Sequence, residues 1–235
     1  MSESSIAHED NDPIHVIIPA AGMGKRMKSY GPKPLIQIGN STIIKNQINL
    51  LKTHMPKCEI ILICGFQANV LMNETPNDIL KVENQQYDKT NVARSIGMGL
   101  RVAKTCKKVM IVYGDLVFNS ATLQNIDMKN SSVVIANNHM GDDEVGCMIN
   151  KKGKLLNLMY DLPTKWGQIS LFMGKELELL KLLCWEDKNY NKFGFEILNL
   201  IIQQGGTFQC VSDSSIKIVD IDSSKDIQRA SEILL

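Results

Sequence analysis

The sequence predicts an α/β fold: a single Rossmann-like domain in which a mostly parallel mixed sheet is flanked by helices and carries an inserted β-hairpin. Three observations predict it. Between residues 14 and 136, short apolar runs alternate with stretches of helical period, the order that builds parallel strands covered on both faces. The first apolar run leads into a loop punctuated by glycine and proline, residues 19–34. Beyond residue 136 the order changes to two short runs separated by Lys151, Lys152 and Gly153, the pattern of a hairpin.

Taken in order, residues 14–18 form the first strand and residues 42–53 an amphipathic helix with Ser41 as its N-cap. Residues 59–64 form a strand, 67–73 a helix, 79–83 a strand, 91–103 a helix and 109–113 the fourth strand, with another at 133–136. The hairpin pairs 145–149 with 155–159. Helices at 176–185 and 195–203 follow, then strands at 207–211 and 216–221 and a closing helix from Ser224. With 235 residues, 44% of them hydrophobic, the chain can bury one substantial core. Residues 1–12, carrying Glu3, Glu9, Asp10 and Asp12 without an apolar stretch, read as a disordered tail rather than a signal peptide. Residues 13–235 form the domain, divided into halves at 137/138.

Lys and Arg number 26 against 25 Asp and Glu, a net charge of +1, so no global field recruits nucleic acid or an anionic membrane. No apolar run reaches membrane-spanning length, and a cytoplasmic protein is expected, with a homodimer left open. The six cysteines contain no C-x-x-C pair and read as reduced core residues. Charge is nevertheless uneven. Residues 13–58 hold no acid but include Lys25, Arg26, Lys28, Lys33, Lys45, Lys52 and Lys57. That is either a solvated basic face or a focused field for a polyanion.

The string Ala20-Ala21-Gly22-Met23-Gly24-Lys25-Arg26 directly after the first strand decides between them. Glycines there let backbone N–H groups approach an anion. The string is neither a Walker loop nor G-x-G-x-x-G, whose third glycine falls on Met27, which disfavours a P-loop ATPase or a nicotinamide cofactor. What it adds is cations, with Lys33 set between Pro32 and Pro34.

This segment, VIIPAAGMGKRMKSYGPKPLIQIGNSTIIKNQINLL over residues 16–51, resembles the nucleotidyltransferase superfamily of hexose-1-phosphate nucleotidyltransferases, phosphocholine cytidylyltransferases and methylerythritol-phosphate cytidylyltransferases. The resemblance implies Mg²⁺-dependent transfer of a nucleoside monophosphate from a nucleoside triphosphate to a small phosphorylated acceptor, as in making precursors of cell-surface polysaccharides. Residues 13–137 become the nucleotide half and 138–235 the acceptor half. By motif position, Ala20, Ala21, Gly22, Met23, Gly24 and Lys25 contact the nucleotide, Arg26 neutralises phosphate charge and Lys33 sits on the α-phosphate. Asn84, Tyr87, Asn91 and Ser95 have the spacing of the base-reading loop in phosphocholine-type cytidylyltransferases, which favours CTP. Asn91 also suits a helix cap.

Magnesium needs hard oxygen ligands. Gly114 and Asp115, at the carboxyl end of a predicted strand, match the family's metal-holding Gly-Asp, and Asp222 in Val219-Asp220-Ile221-Asp222-Ser223 matches its distant second carboxylate. Strand alternation places Asp220 and Asp222 on one face, so the choice of Asp222 rests on the resemblance, and a helix-capping role is open to both. The methylerythritol-phosphate type carries an alanine-arginine stretch in place of Gly114-Asp115 and a lysine in place of Asp220, so isoprenoid precursor synthesis is not implied. Tyr160, Asp161, Lys165, Trp166 and Gln168 follow the hairpin and Glu196 opens a late helix. Lys165, Trp166 and Glu196 are the candidate acceptor contacts, a carboxylate with aromatics being suited to a cationic group. The alternatives are a hexose-1-phosphate nucleotidyltransferase using UTP or TTP and a non-catalytic nucleotide-binding regulator.

Overall fold

The computed structural model describes residues 13–24, 31–136 and 144–233. The tail at 1–12, and Lys25 and Arg26 of the glycine loop, lie outside the described residues. A seven-stranded sheet forms the centre. Its strands are β1 (His15–Ala20), β4 (Glu59–Cys64), β5 (Leu80–Glu83), β6 (Lys108–Val112), β8 (Ser132–Ile135), β11 (Trp166–Met173) and β12 (Gln209–Val211), in the spatial order β12-β8-β11-β6-β1-β4-β5. β6, β1, β4 and β5 run parallel to one another. β11 is antiparallel to both its neighbours, so the sheet is mixed and mostly parallel.

Alternation along the strands splits the core into two layers. Val16 and Ile18 face one side, where Ile44, Ile48 and Leu51 of α1 (Ile43–His54) and Leu71 of α2 (Ala68–Asn73) cover them. Ile17, Ile61 and Ile63 face the other, under α3 (Val92–Val102), α5 (Gly174–Trp185) and α6 (Gly194–Gln203). Burying each such isoleucine side chain stabilises the fold by about 1.5–3 kcal/mol relative to exposing it. No helix among the described residues is long and apolar enough to cross a membrane.

Three small antiparallel ribbons complete the chain. β2 (Gln37–Ile38) pairs with β3 (Ser41–Thr42), and β9 (Val145–Ile149) with β10 (Leu155–Tyr160), the hairpin expected at 145–159. β7 (Leu116–Phe118) pairs with β13 (Ile218–Asp220), and α4 (Ser120–Gln124) and α7 (Ser224–Ile233) follow these two strands. Two sequence expectations are corrected. The N-cap of α1 is Thr42, whose hydroxyl accepts from the Lys45 N–H, because the helix begins at Ile43, one residue later than the sequence predicts. Residues 166–173, given no element from the sequence, form the longest strand of the central sheet.

Candidate active site

The carboxyl ends of β1, β5 and β6 open onto a cleft of about 740 Å³, where open α/β sheets bind ligands. Ala20, Ala21, Gly22 and Gly24 line it, while Met23 does not. Gly24 has φ +53°, and a Cβ there would lie 2.9 Å from Lys33 Cγ; glycine therefore lets the loop fold over the lysine stem. Lys33 starts a one-turn 3-10 helix, Lys33–Leu35, with prolines on both sides of it.

The β7/β13 ribbon carries two distant acids to that lysine. Ile221 donates its backbone N–H to the Asp115 carbonyl, so Asp115 and Asp222 flank the same point. Lys33 Nζ lies 2.5 Å from Asp222 Oδ1 and 3.3 Å from Asp115 Oδ2. Gly114 makes the approach possible, since a Cβ on it would meet Ala20 Cβ at 2.8 Å. Burial acts to lower the Lys33 pKa, yet the charges of Asp115 and Asp222 outweigh it and hold the ammonium above its usual range. Burial raises the Asp115 pKa, reinforced by Asp220 and Asp222 and opposed by Lys33.

Asp220 has a different task. Its Oδ1 accepts from Lys165 Nζ at 2.6 Å and its Oδ2 from Gln168 Nε2 at 3.3 Å, and Lys165 also pairs with Glu144. The Asp220 side chain is 11% exposed, against 28% for Asp115 and 32% for Asp222. All three aspartates line the cleft, with Asp115 and Asp222 the more exposed and Asp220 engaged by Lys165 and Gln168. Lys165 is buried, and here too its burial is outweighed, by Asp220 and Glu144, so its pKa is raised.

On one side of this centre Asn84, Tyr87, Asn91 and Ser95 line the cleft together. The Asn84 amide donates to Thr90 Oγ1 and Ser95 Oγ and accepts from the Gln86 N–H, so it shapes the 84–90 loop. Asn91 accepts from the Val92 N–H at the start of α3. The other side is aromatic, with Tyr160, Trp166, Phe193 and Phe195 beside Gly194 and Val145. Trp166 is buried, edge-on to Tyr113 at 5.7 Å. Glu196 is a correction: it does not line the cleft. Its carboxylate accepts from the Phe193 N–H and pairs with Lys192, capping α6, because a glutamate in a first helical turn finds free N–H groups at hand.

Three supporting residues, Gln47, Asp226 and Glu144, escaped sequence reasoning. Gln47 is buried on α1 and donates to the carbonyls of Tyr113 and Leu116, clamping the turn that holds Asp115. A signal existed, since a glutamine stood among Ile44, Ile48 and Leu51 on the apolar face. Asp226 accepts from the N–H groups of Asp222 and Ser223. Glu144 reaches the centre only through the start of the hairpin, and Gln168, noted in the sequence beside Lys165 and Trp166, through the fold of β11. Gln168 adopts φ +56° where the β11 register shifts, a bulge that turns its amide into the cleft.

Residues 16–145 match the model of the MobA-like NTP transferase domain. Bifunctional protein GlmU of Buchnera aphidicola subsp. Schizaphis graminum is 27% identical over 231 residues, 91% of this chain and 47% of the relative. The 2-C-methyl-D-erythritol 4-phosphate cytidylyltransferase of Colwellia psychrerythraea is 29% identical over 115 residues, 48% of this chain and 46% of the relative. The chain spans about half the length of the curated relatives it matches. The CTP:phosphocholine cytidylyltransferase of Streptococcus pneumoniae superposes with a TM-score of 0.73 at 19% identity, covering 95% of this chain and 100% of that one. The inositol-1-phosphate CTP transferase of T. maritima gives 0.76 at 14% identity, covering 93% and 95%. At such identities the likeness is one of fold. The family match spans more than half of the chain and takes in the glycine loop, Lys33 and Asp115; the chain belongs to the nucleotidyltransferase family of the MobA-like NTP transferase domain.

Proposed function

We propose that the protein transfers a nucleoside monophosphate from a nucleoside triphosphate, CTP by preference, to a small phosphorylated acceptor, releasing pyrophosphate. The observation that carries this reading is the placement of Lys33 between Asp115 and Asp222 beside the glycine loop. The acceptor's phosphate oxygen attacks the α-phosphorus in line. The new P–O bond forms as the bond to the bridging oxygen breaks, and pyrophosphate leaves with the electron pair. No general base is required, because the attacking oxygen is already ionised at neutral pH. The work is alignment and charge neutralisation.

The loop at 20–24 lets backbone approach the triphosphate, Lys33 meets the α-phosphate, and Arg26 adds positive charge from the same loop. Asp115 and Asp222 fit a magnesium ion, since two carboxylates without a neighbouring imidazole or thiol are the hard oxygen set it takes, with water and phosphate oxygens completing the shell. Among the described residues no third such ligand joins them. When bound, the ion neutralises charge on the triphosphate. Support for CTP comes from the Asn84, Tyr87, Asn91 and Ser95 wall and from two fold neighbours whose names specify CTP.

The test is pyrophosphate release across four nucleoside triphosphates and a panel of phosphorylated amino alcohols, polyols and hexoses with magnesium. Turnover with CTP and a small phosphorylated alcohol is expected; turnover confined to UTP or TTP with a hexose 1-phosphate would replace the CTP reading. Lys33→Ala and Asp115→Asn should each lower kcat on the order of 10²–10³-fold with unchanged circular dichroism. Wild-type rates in either variant would falsify the mechanism.

A further inference from the structure

We propose that Arg94 is a positioning residue that holds the acceptor wall of the cleft from behind, acting through Tyr190. The inference rests on the transferase reading above, and it concerns a side chain that does not border the cleft. α3 starts at the nucleotide end, where Asn91, Val92 and Ser95 line the wall. Its first turn is tied to a distant segment. The Asn91 N–H donates to the Tyr190 carbonyl at 2.8 Å and the Ala93 N–H to the Lys192 carbonyl at 3.3 Å. Within that same first turn, the Arg94 guanidinium lies over the Tyr190 ring, 4.3 Å from its centroid. Arg94 Nε is buried and has no hydrogen-bond partner, so the ring stack sets the place of this cation.

The segment held in this way becomes the acceptor wall within three residues. Phe193 is 49% exposed and stacks on Phe195 at 5.9 Å, and Phe195 meets Tyr160 edge-on at 5.6 Å. Between the two phenylalanines, Gly194 has no room for a side chain: a Cβ would fall 1.9 Å from Tyr113 Oη and 3.5 Å from Trp166 Cη2. The wall therefore rests in front on Tyr113, two residues before Asp115, and behind on Tyr190 and Arg94. A helix start that borders the nucleotide thus fixes how far the aromatic face stands from the reacting phosphorus, and with it which acceptor head fits.

The experiment compares Arg94→Ala and Arg94→Lys with the wild-type full chain. CTP binding is measured by calorimetry, acceptor KM and kcat by pyrophosphate release, and amide exchange of residues 190–195 by mass spectrometry. In Arg94→Ala the acceptor KM should rise about tenfold, the scale of one lost partly desolvated cation–π contact, with CTP affinity and kcat at saturating acceptor within about twofold and exchange at 190–195 accelerated. Arg94→Lys, which keeps a cation over the ring, should recover most of the KM. Equal losses in CTP affinity and acceptor KM, an unchanged KM, or failure of Arg94→Lys to improve on Arg94→Ala would overturn the proposal. If the wild-type chain releases no pyrophosphate from any pair, the transferase reading falls; exchange then decides the strap, which is overturned if residues 190–195 exchange alike in wild type and Arg94→Ala.

Discussion

Lys33 shows how a single residue can be legible from its neighbours in sequence. Glycine, cation and flanking prolines marked it, and Gly-Asp at a strand end marked Asp115, whereas the choice of Asp222 over Asp220 rested on the family resemblance. The structure brings all three within hydrogen-bonding distance. Residues whose role depends on a remote partner were not legible in this way. Glu196 has the chemistry of a ligand, but its nearest donors belong to its own helix start. Gln47 interrupts the apolar face of α1, and only the fold brings the Tyr113 and Leu116 carbonyls to its amide. Gln47→Ala leaves both carbonyls without that donor, and should lower stability by about 1–3 kcal/mol, read from urea melts. It should also reduce kcat, since the clamped turn carries Asp115.

At the scale of elements, the parallel half was readable because β1, β4 and β6 are continuous apolar runs separated by helices of ordinary period. β11 was not, because its sequence WGQISLFM interrupts the apolar pattern with Gly167, Gln168 and Ser170 and its pairing shifts register in the middle. β7 and α4 are too short to show a period. Capping supplies a direct check on the corrected start of α1. Thr42→Ala removes the hydroxyl that accepts from the Lys45 N–H and should cost about 1 kcal/mol. Ser41→Ala should change the urea midpoint little, by under about 0.5 kcal/mol. Equal effects would restore Ser41 as the cap.

For the molecule as a whole, the six free cysteines tie stability to pH in one direction. Burial raises the pKa of all six, with Cys64 pushed up to about 12 and Cys210 to about 11 from a usual 9.0. A raised folded-state pKa means that the stability is complete below the unfolded value and is lost as pH rises toward the folded one. Stability in reducing buffer should therefore not suffer from the thiols below pH 9.0 and should fall above it, Cys64 alone contributing about 1.4 kcal/mol per pH unit. Lys33 and Lys165, also raised, add to the fall above 10.5. Denaturation midpoints at a series of alkaline pH values check this, and a flat profile from pH 8 to 11 would contradict the burial of these thiols.

The β7/β13 ribbon has a consequence for biosynthesis. By residue 211 every strand of the central sheet has been made, so a nascent chain of that length holds the whole framework. Lys33 and Asp115 are then already present, while Asp222 is still to be added. Under the proposed function, competence therefore waits until β13 has left the ribosome and docked on β7, a step that follows the last strand of the central sheet.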